Sequence, residues 1–191
     1  MRKGKPNDPE RRTRILRAAL EVIAMEGVHA ASYRRIAAQA GVPLGSTTYY
    51  FSDLETLIVS AFKTLRDGLE PRYASPLRDA RTDDDVVDAL VAATCGSTAP
   101  TLDDIRIYEE MHRYGARSPQ VAGLLRDLQE ASLVILRRSL SDSAARAVDA
   151  LMWGWWSYRA LNEHDRLDTG MVHDAYRALV TMAATERVPQ K

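Results

Sequence analysis

A single cysteine, Cys95, stands in the 191 residues. One thiol cannot close an internal disulfide, so nothing in the chain calls for an oxidising compartment and a cytoplasmic setting is expected. Long apolar runs are missing too. None approaches the ~18 residues that a membrane-spanning helix needs. The basic start, "MRKGKPNDPERR", leads into charged residues, so no secretory leader and no membrane partner are expected. The four histidines, His29, His112, His164 and His173, lack the spacing of metal ligands; no metal and no cofactor are expected. No glycine-rich phosphate loop and no nucleophile–base pair is present, which argues against an enzyme. Glu109, Glu110 and His112 lie close together, but one helical turn of mixed charge is ordinarily a solvated face.

Convincing strand alternation is also absent, and what remains is helical periodicity from end to end. Asp8 is expected to cap a first helix, with Pro9 in its first turn and Gly27 as its stop. Ser32 caps "YRRIAAQA", and Gly41 ends it in the turn "GVPLG". A short helix follows, from Leu44 or Gly45 to Tyr50. A capping box, Ser52 to Glu55, opens a long one whose stripe runs from Leu54 through Leu57, Ile58, Phe62 and Leu65 to Leu69. Pro71 and Pro76 are expected to close that helix. Five further helices start near Asp83, Thr101, Ser118, Ser143 and Asp168. The expected fold is all-α, about nine helices, with the first three forming a small unit (residues 1–52) and the rest a bundle (residues 53–191).

Charge is distributed unevenly under a net of zero. Residues 1–50 carry nine basic and four acidic side chains, a balance of +5, and the remainder carries 17 basic and 22 acidic, a balance of −5. A basic head on an acidic body points to a polyanion partner for the head alone. Within that head, "GVPLGSTTYYF" crowds three hydroxyl residues and three aromatics into a few turns. A helix-turn-helix needs small residues where its helices meet and a glycine at the bend; Ala37, Ala40 and Gly41 supply them. Gly45, Ser46, Thr48, Tyr49 and Tyr50 are then left to face outward. Hydroxyls and amides donate to phosphate oxygens, and tyrosine rings rest on sugars or thymine methyls. Arg34 and Arg35 are placed to reach a base edge or a phosphate. The competing reading is an ordinary short bundle helix with half-buried tyrosines.

At these residues the chain resembles the tetracycline-repressor (TetR) family of bacterial regulators. The block runs from "RRTRILRAALEVIAMEG" through "ASYRRIAAQAGVPLGSTTYYFSDLETLIVSAF", about the first third of the chain. The resemblance implies a homodimer on a pseudo-palindromic double-stranded operator, with the short third helix in the major groove. Carried over by position, Arg34 falls at a base contact of helix 2, Ser46 at a groove contact and Tyr49 at an aromatic phosphate contact. Tyr50 stands where many members have histidine, and Phe51 is the plug that follows. Thr48 replaces a usual tyrosine and Leu54 a usual phosphate-binding lysine, so part of the backbone grip is assigned to the basic N-terminal arm, including Lys5 and Arg12.

The larger domain holds all three tryptophans in "AARAVDALMWGWWSYRAL", a helix apolar around most of its circumference and therefore covered on several sides. The resemblance makes this helix and the last one a four-helix dimer interface, with Trp153, Trp155, Tyr176 and Leu179 as its candidates; a monomeric core helix is the alternative. The resemblance also implies a pocket for an unknown small-molecule effector, for which Tyr108, Met111, His112 and Trp156 are the candidates. The function so implied is a repressor released by its effector. An all-α enzyme and a non-specific architectural DNA binder are the alternatives.

Overall fold

The computed structural model describes Asp8, residues 10–162 and residues 167–186, and every regular element within them is helical. Nine α-helices appear among the described residues: α1 (Arg11–Glu26), α2 (Tyr33–Ala40), α3 (Leu44–Tyr50), α4 (Leu54–Asp79), α5 (Asp83–Cys95), α6 (Leu102–Gly115), α7 (Pro119–Leu136), α8 (Asp142–Leu161) and α9 (Thr169–Glu186). A 3-10 turn, Val28–Ala30, links α1 to α2. None of these helices is long and apolar enough to cross a membrane.

Helix starts follow the side chains that can serve them. Ser32 accepts the Arg35 amide at 3.2 Å. Thr82 and Asp85 exchange bonds in a full capping box ahead of α5, and Thr101 with Asp104 does the same ahead of α6. Two expected starts move. Helix α1 begins at Arg11, and Asp8 lies ahead of it, accepting the Glu10 amide at 3.1 Å and pairing with Arg14 at 2.8 Å; Pro9 lies outside the described residues. At α4 the cap is Asp53 rather than Ser52. Its carboxylate accepts both the Thr56 amide (2.6 Å) and the Thr56 hydroxyl (2.8 Å), which holds it below the usual carboxylate range. The helix begins one residue later than expected, so the cap position falls on Asp53.

The expected stop at Pro71 and Pro76 is overruled. Helix α4 runs through both positions to Asp79, and Ala80 donates to the Pro76 carbonyl at 3.1 Å. Each proline removes one amide from the ladder, but the apolar stripe continues beyond them to Leu77, which is buried. Burial on the far side offsets the missing bonds.

The chain folds into two compact units. One takes the chain up to Leu65 together with Ile107–Ala122, and the other takes Arg66–Arg106 together with the chain from Gly123 onward. In the first unit, Ile15, Ala19, Val22, Ile36, Leu57, Phe62 and Met111 are fully buried. Polar ties join its distant segments. Val28 donates its amide to Glu110 at 2.8 Å, Ser118 donates its hydroxyl to Glu55 at 2.7 Å, and the Phe62 and Tyr114 rings meet at 6.5 Å. This unit is therefore larger than the reading segment at residues 1–52, because the start of α4 and the end of α6 complete its core.

The second unit packs α5, α8 and α9 together around Val87, Leu90, Ala145, Val148 and Val172. Tyr176, expected on a dimer surface, is fully buried here. Its hydroxyl lies 2.6 Å from that of Thr94, and burial pushes its pKa well above the ordinary phenol range. Trp156 is buried as well and donates its indole N–H to the Ala93 carbonyl at 3.1 Å. Arg159 closes the end of α5 by donating to the Thr94 (3.0 Å) and Pro100 (3.3 Å) carbonyls.

Candidate nucleic-acid interface

Gly41 makes the bend between α2 and α3. Its φ of 63° lies in the left-handed region. Its amide returns to Ala38 at 3.2 Å while the Val42 amide returns to Ala37 at 3.0 Å. Those two bonds form the paired C-terminal closure that a glycine after the last helical residue permits. Helix α3 leaves the turn with Pro43 ahead of it, and the Ser46 amide donates to the Pro43 carbonyl at 2.8 Å. At its far end Phe51 is buried, its carbonyl accepting the Tyr33 hydroxyl at 3.1 Å and its ring lying 5.3 Å from the Arg12 guanidinium. The two ends of α3 are thus pinned to α2 and α1.

The phase of this seven-residue helix decides which side chains face out. At about 100° per residue, Leu44, Thr48, Gly45 and Tyr49 fall on one arc, and Ser46, Tyr50 and Thr47 fall on the other. Burial follows that division. Leu44, Gly45, Thr48 and Tyr49 are exposed, the last at 75%, while Tyr50 is half-buried and Ser46 and Thr47 are buried at 9% and 0%. Ser46, expected to face a groove, belongs to the inner arc, and Leu44 joins the outer one. The spacing of 44 to 48, one turn apart, was the signal for Leu44. The Thr48 hydroxyl donates at 3.3 Å to the Gly45 carbonyl, and the Tyr49 ring stands edge-on to Tyr50 at 5.1 Å.

The two arginines of α2 separate sharply. Arg34 is exposed and has no partner among the described residues. Arg35, expected at DNA, is held by Glu26 at 2.9 Å and by Gln39 at 3.2 Å, and Gln39 in turn donates to Glu21 at 2.8 Å. The chain of four side chains straps α2 along α1. It keeps the Glu26 carboxyl below its usual range and the Arg35 guanidinium above its own. Arg12 is exposed at the base of this face. Lys5 and the rest of the arm before Asp8 lie outside the described residues, as does His164.

The pocket candidates divide between the units. Tyr108 and Met111 are buried in the first and Trp156 in the second; His112 is exposed, with its Nδ1 2.9 Å from the Tyr108 carbonyl of its own helix. A groove of about 560 Å³ on the second unit is lined by other residues, among them Arg78, Glu130, Val134 and Arg138. On α8 and α9, Trp155 and Leu179 are half-buried, and Tyr158, Met171 and Met182 are exposed. Trp153 is half-buried and its ring meets Trp156 edge-on at 5.2 Å. Among the described residues no cluster of His, Cys, Asp and Glu is arranged to hold a metal.

Residues 15–61 match the family model described as bacterial regulatory proteins, tetR family. Over 91% of this chain and 99% of the other, the fold matches SCO7518 from Streptomyces coelicolor A3(2), a protein assigned as a transcriptional regulator, with a TM-score of 0.78 and 32% identity. The chain belongs to the TetR family. Another similar structure, that of the multidrug binding protein EbrR complexed with ethidium, is 27% identical, with a TM-score of 0.66 over 91% of this chain and 99% of its own. Among curated relatives, the HTH-type transcriptional regulator UidR of Escherichia coli (strain K12) is 28% identical over 116 residues. That match covers 61% of this chain and spans 57% of UidR's length.

Proposed function

We propose that this TetR-family protein is a cytoplasmic, sequence-specific DNA-binding repressor that acts as a homodimer and is released from its operator by a small organic effector. The observation that carries this reading is the outer arc of α3. A helix set across a glycine turn presents Thr48, Tyr49 and the bare backbone of Gly45 to solvent, and Arg34 is exposed and, among the described residues, unpaired on α2. Those groups match a phosphate-walled groove, in which hydroxyls donate to the backbone and an arginine reads a base edge. Arg12 and the basic arm add charge neutralisation, and with it a steep salt dependence. Ser46 and Arg35 serve the reader from inside, as packing and strap.

The dimer is read from stripes on two helices. Leu151, Trp155 and Tyr158 follow one another at helical spacing on α8, and Met171, Ala175, Leu179 and Met182 do so on α9. Such seams pack helix on helix. A two-fold dimer sets two reading helices about one duplex turn apart, roughly 34 Å. An effector that prefers a different spacing lowers DNA affinity through its differential binding to the two states. The multidrug-binding relative supports an organic effector class.

Selection of bound duplexes from random DNA tests the reading. Enrichment of two similar half-sites in inverted orientation supports it. Salt-sensitive retention without any enrichment overturns it in favour of the architectural alternative.

A further inference from the structure

Glu110 lies 82 residues from the segment it serves. Its Oε2 accepts the backbone amide of Val28 at 2.8 Å, where the chain leaves α1 and turns toward α2. That amide opens a 3-10 turn, so it has no acceptor within the turn, and Val28 is itself buried. The fit around it is close. A Cβ built on Gly27 would come within 3.3 Å of Glu110 Oε2 and 2.9 Å of His29 Nδ1, and Gly27 sits at φ 81°. The other carboxylate oxygen is fixed in turn. Glu110 Oε1 accepts from Arg113 Nε at 2.9 Å and from its terminal nitrogen at 2.6 Å, so Oε2 is aimed at the loop. Ile107, Tyr108 and Met111 on either side are buried, which anchors this stretch of α6 in the first unit's core.

We propose that Glu110 is a positioning residue of the DNA reader, an inference that rests on the DNA-binding function proposed above. By accepting the Val28 amide it fixes the path between α1 and α2, and so the attitude in which α3 meets the duplex. Glu110 is no part of the reading face. The strap from Glu26 through Arg35 and Gln39 to Glu21 joins α2 to α1 only, whereas Glu110 ties the same corner to α6. Helix α6 begins among the residues of the second unit and ends among those of the first.

The test uses the full chain and a duplex selected by the wild type. Glu110→Ala removes the acceptor, and Glu110→Gln keeps an amide oxygen in its place but discards the charge. Duplex affinity, far-UV circular dichroism and hydrogen exchange at the Val28 amide are measured for each. The expected result is an affinity loss of about tenfold for Glu110→Ala, with helical content retained and faster exchange at Val28. Glu110→Gln stays within about twofold of wild type. Wild-type affinity in Glu110→Ala, despite faster exchange, overturns the proposal. So does equal loss in Glu110→Gln, which would assign the effect to charge; should the alanine variant not fold, Glu110→Asp, which keeps the charge but falls short of the Val28 amide, takes its place with the same loss expected. If the wild type selects no duplex, the DNA-binding reading fails instead, and the exchange data still show whether Glu110 holds the turn.

Discussion

Two glycines flank the reading turn, and alanine at each should move stability in opposite directions. A Cβ at Gly41 or at Gly45 meets nothing within 4 Å, so neither substitution creates a clash. The difference is backbone. Gly41 sits at φ 63°, where an L side chain costs about 1–2 kcal/mol. Reduced freedom of the unfolded chain offsets part of that, leaving a net loss of about 1 kcal/mol. Gly45 lies inside α3 and outside the left-handed region, so Gly45→Ala should gain roughly 0.5–1 kcal/mol from helix propensity. Urea unfolding of the full chain reads both; with a slope of about 2 kcal/mol/M the midpoints shift by ~0.5 M down and ~0.3 M up. Duplex affinity then separates fold from function. The new methyl at residue 45 points out of the reading arc and holds it off the duplex, losing at least one hydrogen bond to a charged acceptor, or about tenfold in affinity. A Gly45→Ala protein that is more stable and binds DNA undiminished refutes the claim that the bare backbone there serves close approach.

Other consequences are as concrete. Tyr176→Phe should cost only about 1 kcal/mol, because the Thr94 hydroxyl keeps its bond to the Leu90 carbonyl at 2.8 Å. The Tyr176 phenol is raised above its ordinary 10.0 by burial, so its stabilisation is whole below that pH and lost as pH rises beyond it. Thermal melts between roughly pH 9 and 11 should therefore fall less steeply for Tyr176→Phe than for wild type. Arg34→Ala should relax preference at particular base pairs by about 1–3 kcal/mol in competition binding, and a uniform loss would move Arg34 to the backbone class. Met171→Glu, at a side chain already 48% exposed, should leave the chain folded but monomeric by sedimentation; an unaltered dimer removes α9 from the interface.

Helix number, the Ser32 cap, the Gly41 bend and the limits of α3 were legible in the sequence, because each rests on residues within four or five positions of one another. Ser46 was misread for a related reason. In a helix of seven residues spacing alone assigns the arcs, and at about 100° per residue Ser46 falls with Thr47 and Tyr50, away from Gly45 and Thr48, whatever its hydroxyl suggests. Arg35 looked like its neighbour Arg34 because nothing local shows that Glu26, nine residues back across a turn, would claim it. Tyr176 was placed outside since its partner Thr94 is 82 positions away. The prolines at 71 and 76 carry a local penalty that a non-local gain, burial of Leu77, overrides. Local capping chemistry reads directly from sequence, while the inward or outward sense of a polar side chain depends on which distant segment arrives beside it.

In the proposed function α3 meets DNA with the arc containing Thr48 and Tyr49. That contact is tested most directly by measuring affinity for the selected duplex in Tyr49→Ala and Ser46→Ala, with helical content checked for each. Tyr49→Ala, at a side chain 75% exposed, is predicted to weaken binding about tenfold or more without altering the fold. Ser46→Ala, on the inner arc, is predicted to bind within about twofold of wild type. The reverse order, with Ser46 essential and Tyr49 dispensable, would contradict the account.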